Sequence, residues 1–296
     1  MNKLFKQIAG VAFATTLGFG FAQQAKAVEV QEVISDGGIR AWLIEDHMNP
    51  LMTMDIAFTG AGAATDPDGK LGLVNMVSGL IDEGAGAMDS QTFRSEMENR
   101  SIGLSFDAGR DDFAGSLTTL TRERETAIDL LRLALSEPRF DDEAVERIRA
   151  QVVSGLKRAE TDPRDIASRT FFASIFGDHP YGRPVSGTLE TVAGLNANDF
   201  RGFVRRAFAK DNLIVGVAGD ITAEELGPLL DEAFGALPAK SDLPKIADVT
   251  PTYGDIDVIE QDIPQSQAIW GQKGIERQDP DFYAAYVMNY ILGGGG

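Results

Sequence analysis

The stretch GLSFDAGRDDFAGSLTTL, residues 103 to 120, alternates apolar and polar positions on both sides of Gly109. Strand side chains point to opposite faces with a period of two, so this pattern predicts two strands meeting at a turn. A lone pair of strands is not stable in water, and the fold must therefore be a layered sheet. The remaining layers are legible up to residue 237. IRAWLIED and LMTMDIAFTG are apolar and β-rich, are joined by the turn HMNP, and predict a hairpin; NLIVGVAGD predicts a buried strand. SQTFRSEMENRS has helical spacing, with Ser90 as its expected cap, and RETAIDLLRLALSEP is an amphipathic helix closed by Pro138. DDEAVERIRAQVVSGLKRAE carries acids in its first turn and basic residues in its last, as the helix dipole favours. PRDIASRTFFASIF, NANDFRGFVRRAF and TAEELGPLLDEAFGAL complete the helices. Strands interleaved with helices predict an α+β fold with an antiparallel or mixed sheet.

The first 27 residues stand apart. Lys3 and Lys6 precede an apolar run from Ile8 to Ala22, and Ala-Lys-Ala follows at 25 to 27. That is the layout of a secretory signal peptide cleaved after Ala27, and its apolar run is shorter than the ~20 residues a spanning helix needs. A mature chain exported by a bacterium would lie in the periplasm. The absence of cysteine excludes disulfides and cysteine-ligated zinc. With 45 acidic against 27 basic residues, the surface repels nucleic acid and anionic membrane, and neither is expected as a partner.

Residues 238 to 254, PAKSDLPKIADVTPTYG, read as a linker between a first domain at 28 to 237 and the start of a second at 255 to 296. LIEDHMNPLMTMDIAFTG finds a counterpart in VIEQDIPQSQAIWGQKG, strand, turn and strand. DPDGKLGLVNMVSGLIDEG finds one in DPDFYAAYVMNYILGGG, a loop leading into an apolar helix. Ile44 aligns with Ile259 and Asp66 with Asp279, offsets of 215 and 213 residues, as a duplicated domain would give. A second copy of this length cannot close a sheet, and the chain is expected to continue in a longer protein.

GLVNMVSGLIDEGA, residues 72 to 85, predicts an apolar helix running to Gly84. With its lead G-x-x-D-P-x-G-K-x-G-L, it is followed in order by DEGAG, LSFDAGRDD, EPRFDDEAVER, DPRDIASR, HPYGRPVSGT, NLIVGVAGDI and ILGGGG. In this order the chain resembles the M16 (insulinase or mitochondrial processing peptidase-like) metallopeptidase family, of the bacterial two-domain type. The resemblance implies a two-layer sheet-and-helix (LuxS/MPP-like) domain, with the start of its duplicate after the linker. Active members carry His-x-x-Glu-His on this helix, where two histidines one turn apart reach a single zinc ion and the glutamate acts as general base. A distal glutamate completes the ligands.

Asn75 stands at the first histidine position, Ser78 at the glutamate, and Gly79 at the second histidine; Gly155, 76 residues after Gly79, stands at the distal ligand. These residues are poor zinc ligands or none. Asp82, Glu83 and Glu160 do not restore two imidazoles on one face, and the two histidines, His47 and His179, read as turn and loop residues. No catalytic residue and no metal ligand is therefore expected in this chain. Glycine motifs for phosphate and the Gly-x-Ser-x-Gly elbow are absent as well.

In heterodimeric members of the family, a metal-free subunit helps enclose the substrate, and zinc sits in a partner bearing His-x-x-Glu-His. Peptides there add as a strand to the sheet edge beside the zinc helix. Laid on this sequence, that edge is Leu104, Ser105, Phe106, Asp107 and Ala108. The expected function is that of a non-catalytic subunit of a periplasmic M16 peptidase, with peptides as ligands. A free-standing periplasmic peptide-binding or scaffold protein is the alternative. An Arg and Tyr pair that contacts substrate in the family would lie beyond Gly296.

Overall fold

The computed structural model describes residues 29 to 294. The predicted signal peptide lies outside the described residues. Six strands form one sheet: β1 (Gln31–Ile34), β2 (Arg40–Glu45), β3 (Leu51–Thr59), β4 (Gly103–Ala108), β5 (Asp112–Leu120) and β6 (Leu213–Gly219). Their order is β1-β2-β6-β3-β5-β4, with β2 and β6 parallel and the other neighbours antiparallel. Period-two patterning decides which face is covered. Met52, Met54, Ile56 and Phe58 on β3, Phe113 and Leu117 on β5, and Val215 and Val217 on β6 are buried, whereas Ser105, Asp55 and Thr118 face water.

The helices are α1 (Leu73–Ser78), α2 (Ser90–Arg100), α3 (Arg124–Ser136), α4 (Asp142–Ala159), α5 (Pro163–Phe176), α6 (Leu189–Gly194), α7 (Ala197–Ala207), α8 (Ala223–Phe234) and α9 (Phe282–Asn289). Up to α8 they supply the second layer of an α+β fold. Phenylalanines knit the layers together: Phe208, just after α7, stacks on Phe58 at 4.4 Å between ring centroids and lies 5.0 Å from Phe113. Carboxylate and hydroxyl side chains close the helix starts. Asp162 and Thr222 accept hydrogen bonds from the first-turn backbone of α5 and α8.

The structure corrects four local expectations. β2 and β3 are not a hairpin, because β6 lies between them and pairs with both. The connection through HMNP crosses the end of β6, where the Asp46 N–H donates to Gly219 O and the Asp220 N–H to Leu51 O. The crossing is so close that a Cβ on Gly219, whose φ is +131°, would stand 2.1 Å from Leu51 O. His47 belongs to this crossing, with Nδ1 2.7 Å from the Asp220 carboxylate.

The apolar helix ends at Ser78, well before Gly84. Leu80 and Ile81 remain fully buried, but in turns whose N–H groups both donate to Val77 O. Glycine at 79 favours that early stop, since it is among the poorest helix formers. The cap of α2 is Asp89, which accepts from the Thr92 N–H at 2.8 Å; Ser90 uses its hydroxyl on Glu83 instead.

No strand forms among residues 255 to 275, although α9 does form at the expected place. A strand must pair its backbone groups with a neighbour. Most of residues 255 to 275 are exposed and run beside α5, bounding a cleft of about 540 Å³ with Phe171 and Ile175.

Candidate functional site

Helix α1 is held from both ends. Before it, the buried Asp66 carboxylate accepts the backbone N–H groups of Gly72 at 2.7 Å and Val74 at 3.1 Å. Burial pushes this carboxyl up to about 7 in spite of those bonds, which favour its ionised form. After α1, Glu83 receives Arg94 from α2 at 2.9 Å, Arg147 from α4 at 3.1 Å, and the Ser90 hydroxyl. Burial alone would raise the Glu83 carboxyl, but the Arg147 and Ser90 hydrogen bonds and the two arginine charges hold it below its ordinary value. Its neighbour Asp82 has no such cation bound to it, and burial pushes it up to about 6.

Asn75, Ser78 and Gly79 are half-buried on α1 and its last turn. The Ser78 hydroxyl is already engaged, donating to Asn75 O at 2.9 Å. Gly79 faces α4: a Cβ there would lie 3.3 Å from Ile148 Cγ2. Gly155 sits on the same helix two turns further along, about 10 Å by helix rise, and the nearest atom to its would-be Cβ is Arg158 Nη2 at 3.8 Å. The α1 stop and α4 thus meet at Ile148 rather than at Gly155. Zinc does not fit the four residues present. Two have no side chain, Ser78 is turned onto the backbone, and a guanidinium stands where a ligand carboxylate would hang. Among the described residues no group of three or more His, Asp or Glu could hold a metal ion.

Since Gly155 is interior to α4 with only ordinary contact around it, glycine there costs helix stability without a packing return. Gly155→Ala is expected to stabilise the chain by about 0.5–1 kcal/mol, read as a higher urea midpoint at unchanged m-value. A lower midpoint would mean that the surrounding space is already filled.

β4 is the last strand of the sheet and packs beside α1. Leu104, Phe106 and Ala108 turn their side chains toward the helix layer, while Ser105 and Asp107 are exposed on the open face. Phe106 lies 5.8 Å from Phe113 and covers Gly115, where a Cβ would meet its ring at 2.8 Å. The backbone register is set at the turn. The Gly109 N–H donates to Asp112 O at 2.9 Å, so the bonded pairs with β5 fall on residues 109, 107, 105 and 103. The N–H and C=O groups of Leu104, Phe106 and Ala108 therefore point away from β5 to the free edge. Among the described residues, none of these groups meets a partner beyond the sheet.

The tip of this hairpin, Arg110 and Asp111, was not singled out by sequence. The Tyr181 hydroxyl donates to the Asp111 carboxylate, and Arg110 Nε donates to Tyr181 O at 3.2 Å. The bond to Asp111, then burial, pushes the tyrosine hydroxyl up to about 12, and burial lowers the Arg110 guanidinium, which lies 3.7 Å over the Phe172 ring. His179 and Phe176 complete the cluster. The one sequence sign was the density of aromatics in TFFASIF and HPYG. His179 is a loop residue bonded to backbone.

Comparison with known proteins follows this geometry. A family model described as peptidase M16 inactive domain matches residues 194–296, running through the predicted linker. A Helicobacter pylori protein named non-peptidase homolog YmxG is 25% identical over 280 residues, which is 94% of this chain and 64% of that protein. An uncharacterized zinc protease of Mycobacterium leprae is 22% identical over 276 residues, 92% of this chain and 62% of its own. The crystal structure of a peptidase M16 inactive domain from Pseudomonas fluorescens matches with a TM-score of 0.77 at 23% identity, over 91% of this chain and 65% of that one. The chain thus spans a little under two thirds of the length of these relatives and shares the fold over that span.

Proposed function

We propose, from the premise that the chain belongs to the M16 peptidase family, that it is a non-catalytic member which holds extended peptides along β4. Its site would act beside a zinc-bearing partner with His-x-x-Glu-His, in the periplasm, with the metal in that partner. One observation carries the reading. The positions that would make α1 a zinc helix are Asn75, Ser78, Gly79 and, on α4, Gly155, while among the described residues the outward backbone groups of Leu104, Phe106 and Ala108, on the edge strand beside α1, meet no partner. A chain that has no side chains for the chemistry but an open strand edge next to the same place is suited to hold substrate rather than cut it. Peptide addition to such an edge draws affinity from main-chain hydrogen bonds and selectivity from alternate side chains.

Proline distinguishes the two halves of the edge. Ala108 turns its N–H outward, so Ala108→Pro removes a donor to the peptide and none to the sheet; proline is tolerated at such edge positions. This variant is expected to lose at least about tenfold in affinity for a strand-forming peptide, with little change in unfolding midpoint. Asp107→Pro cuts a ladder bond inside the sheet and is expected to unfold more easily. Titration of a fluorescent peptide library against both variants checks this, and equal affinity of Ala108→Pro and the parent chain would sink the β4 reading. Co-purification of the tagged protein separates the partnered subunit from the free-standing scaffold. Recovery with a His-x-x-Glu-His protein supports the first, and recovery alone supports the second.

A further inference from the structure

Residues 238 to 252 lie strapped along the helix layer. The Lys210 N–H donates to Pro238 O at 2.9 Å, the Ser241 N–H to Asp211 Oδ1 at 2.9 Å, the Asp242 N–H to Arg206 O at 2.8 Å, and the Thr252 N–H to Ile175 O at 2.9 Å. Midway along the strap, the His179 side chain reaches it, with Nε2 2.9 Å from Ala247 O. The other ring nitrogen fixes how that contact works. The Tyr181 backbone N–H donates to His179 Nδ1 at 3.2 Å, so Nδ1 is the acceptor and Nε2 carries the proton given to Ala247 O.

The imidazole also stands edge-on against Tyr181, with ring centroids 4.8 Å apart at 89°. Tyr181 grips the β4–β5 tip at two points, through its hydroxyl on Asp111 and its carbonyl on Arg110. From the other side, the N–H groups of Gly62, Ala63 and Ala64 donate to the carbonyls of Asp111, Gly109 and Arg110. The tip is therefore clamped between residues 62 to 64, which follow β3, and a tyrosine whose own place depends on His179.

We infer that His179 is a positioning residue for the free edge of β4: it ties the strap at Ala247 to Tyr181, and Tyr181 sets the tip from which the edge is aligned. The inference rests on the reading of β4 as the peptide edge. Its physical basis is continuity. Every link from Ala247 to Asp111 is a hydrogen bond or a ring contact, and the imidazole touches both strap and clamp. Seating of the strap, which leads toward residues 255 to 296, is thereby felt at the strand that would receive a peptide.

Two substitutions divide the two jobs of the ring. His179→Asn puts an amide oxygen near the place of Nδ1 and can still cap the Tyr181 N–H, but has no donor that reaches Ala247. His179→Gln places its amide nitrogen near Nε2 and can still hold the strap. Hydrogen exchange of the whole chain, read by mass spectrometry without any peptide, is the experiment. In His179→Asn the amides of Asp242 and Thr252 are expected to exchange roughly tenfold faster, and Gly109 and its neighbours at the tip several-fold faster, with α3 and α8 unchanged. In His179→Gln the strap and tip should stay near the parent rates. Faster exchange in the strap alone overturns the inference, as does no change in either segment. A protein that shows the expected pattern but binds no strand-forming peptide counts against the peptide reading and leaves the clamp standing.

Discussion

Given Asn75→His, Ser78→Glu, Gly79→His and Gly155→Glu together, the chain is expected to gain a zinc site on α1 and α4. The geometry for two imidazoles is present. Residue 79 has φ −86° and ψ −4°, close enough to helical that positions 75 and 79 lie one turn apart on the same face. Two obstacles are quantifiable. A side chain at 79 brings its Cβ to 3.3 Å from Ile148 Cγ2, so the methyl must give by a few tenths of an ångström. A glutamate at 155 enters beside Arg158 Nη2, 3.8 Å from the Cβ position, and an ion pair there competes with the metal for the carboxylate.

The first obstacle costs a little packing, which the helix propensity gained at 155 offsets in part. The second lowers affinity without abolishing it, so adding Arg158→Gln to the quadruple variant should tighten binding further. Calorimetric titration with zinc, alongside circular dichroism to check folding, reads the result. A folded quadruple variant that takes up no zinc, with or without Arg158→Gln, would show that α1 and α4 do not meet as a zinc site requires. No proteolysis is predicted for it, because cleavage also needs groups that these positions do not supply.

Local features of this fold were legible and non-local ones were not. The β4–β5 hairpin follows from alternation around Gly109, since its two strands are neighbours in sequence. The insertion of β6 between β2 and β3 joins segments more than 150 residues apart, and nothing in IRAWLIED or LMTMDIAFTG betrays a gap one strand wide. Val215 and Val217 indicated only that β6 is buried. The sole local mark was the glycine at 219, which the Leu51 carbonyl makes necessary. The strands expected in 255 to 275 have the right residue types, but a strand is made by its neighbour as much as by its own side chains.

The candidate site divides along the same line. Asn75, Ser78 and Gly79 are gathered by helix geometry alone, and the sequence places them together. Gly155 entered through its distance in the chain, and the structure sets Ile148 against Gly79 instead. The span Leu104 to Ala108 was identifiable as an edge, whereas the division into outward and inward backbone groups needed the Gly109–Asp112 bond. Tyr181 escaped notice and His179 was read only as a loop residue, because their partners, Asp111 and Ala247, are each about 70 residues away.

Between pH 4 and 7 the chain is expected to lose stability as pH rises, and Asp66 is the main cause. Its carboxyl has an ordinary value of 3.8 and stands at about 7 in the folded chain, because burial beneath the start of α1 penalises the charge. A carboxyl raised on folding binds more protons in the folded state than in the unfolded state throughout that window. Stability therefore falls with increasing pH there, and the loss is complete above the folded value. A shift of this size corresponds to about 4 kcal/mol across the window, and Asp82, raised to about 6, adds in the same direction. Carboxylates held below their ordinary values, such as Glu83 and Asp220, act oppositely. Their contribution is present above the ordinary carboxylate range and is lost as pH falls through and below it, so the two trends meet near pH 4.

Asp66→Asn isolates the effect. The amide keeps an acceptor for the Val74 N–H but cannot also accept from Gly72, so at pH 4 the variant should be less stable than the parent. It carries no charge to bury, and its disadvantage should shrink by about 4 kcal/mol as pH is taken to 7. Urea unfolding of both proteins at half-unit pH steps measures this directly. Parallel stability curves would mean that the backbone N–H groups of Gly72 and Val74 hold Asp66 ionised throughout, and that the cap on α1 is a full charge at the pH of a working cell rather than a carboxyl poised to lose it.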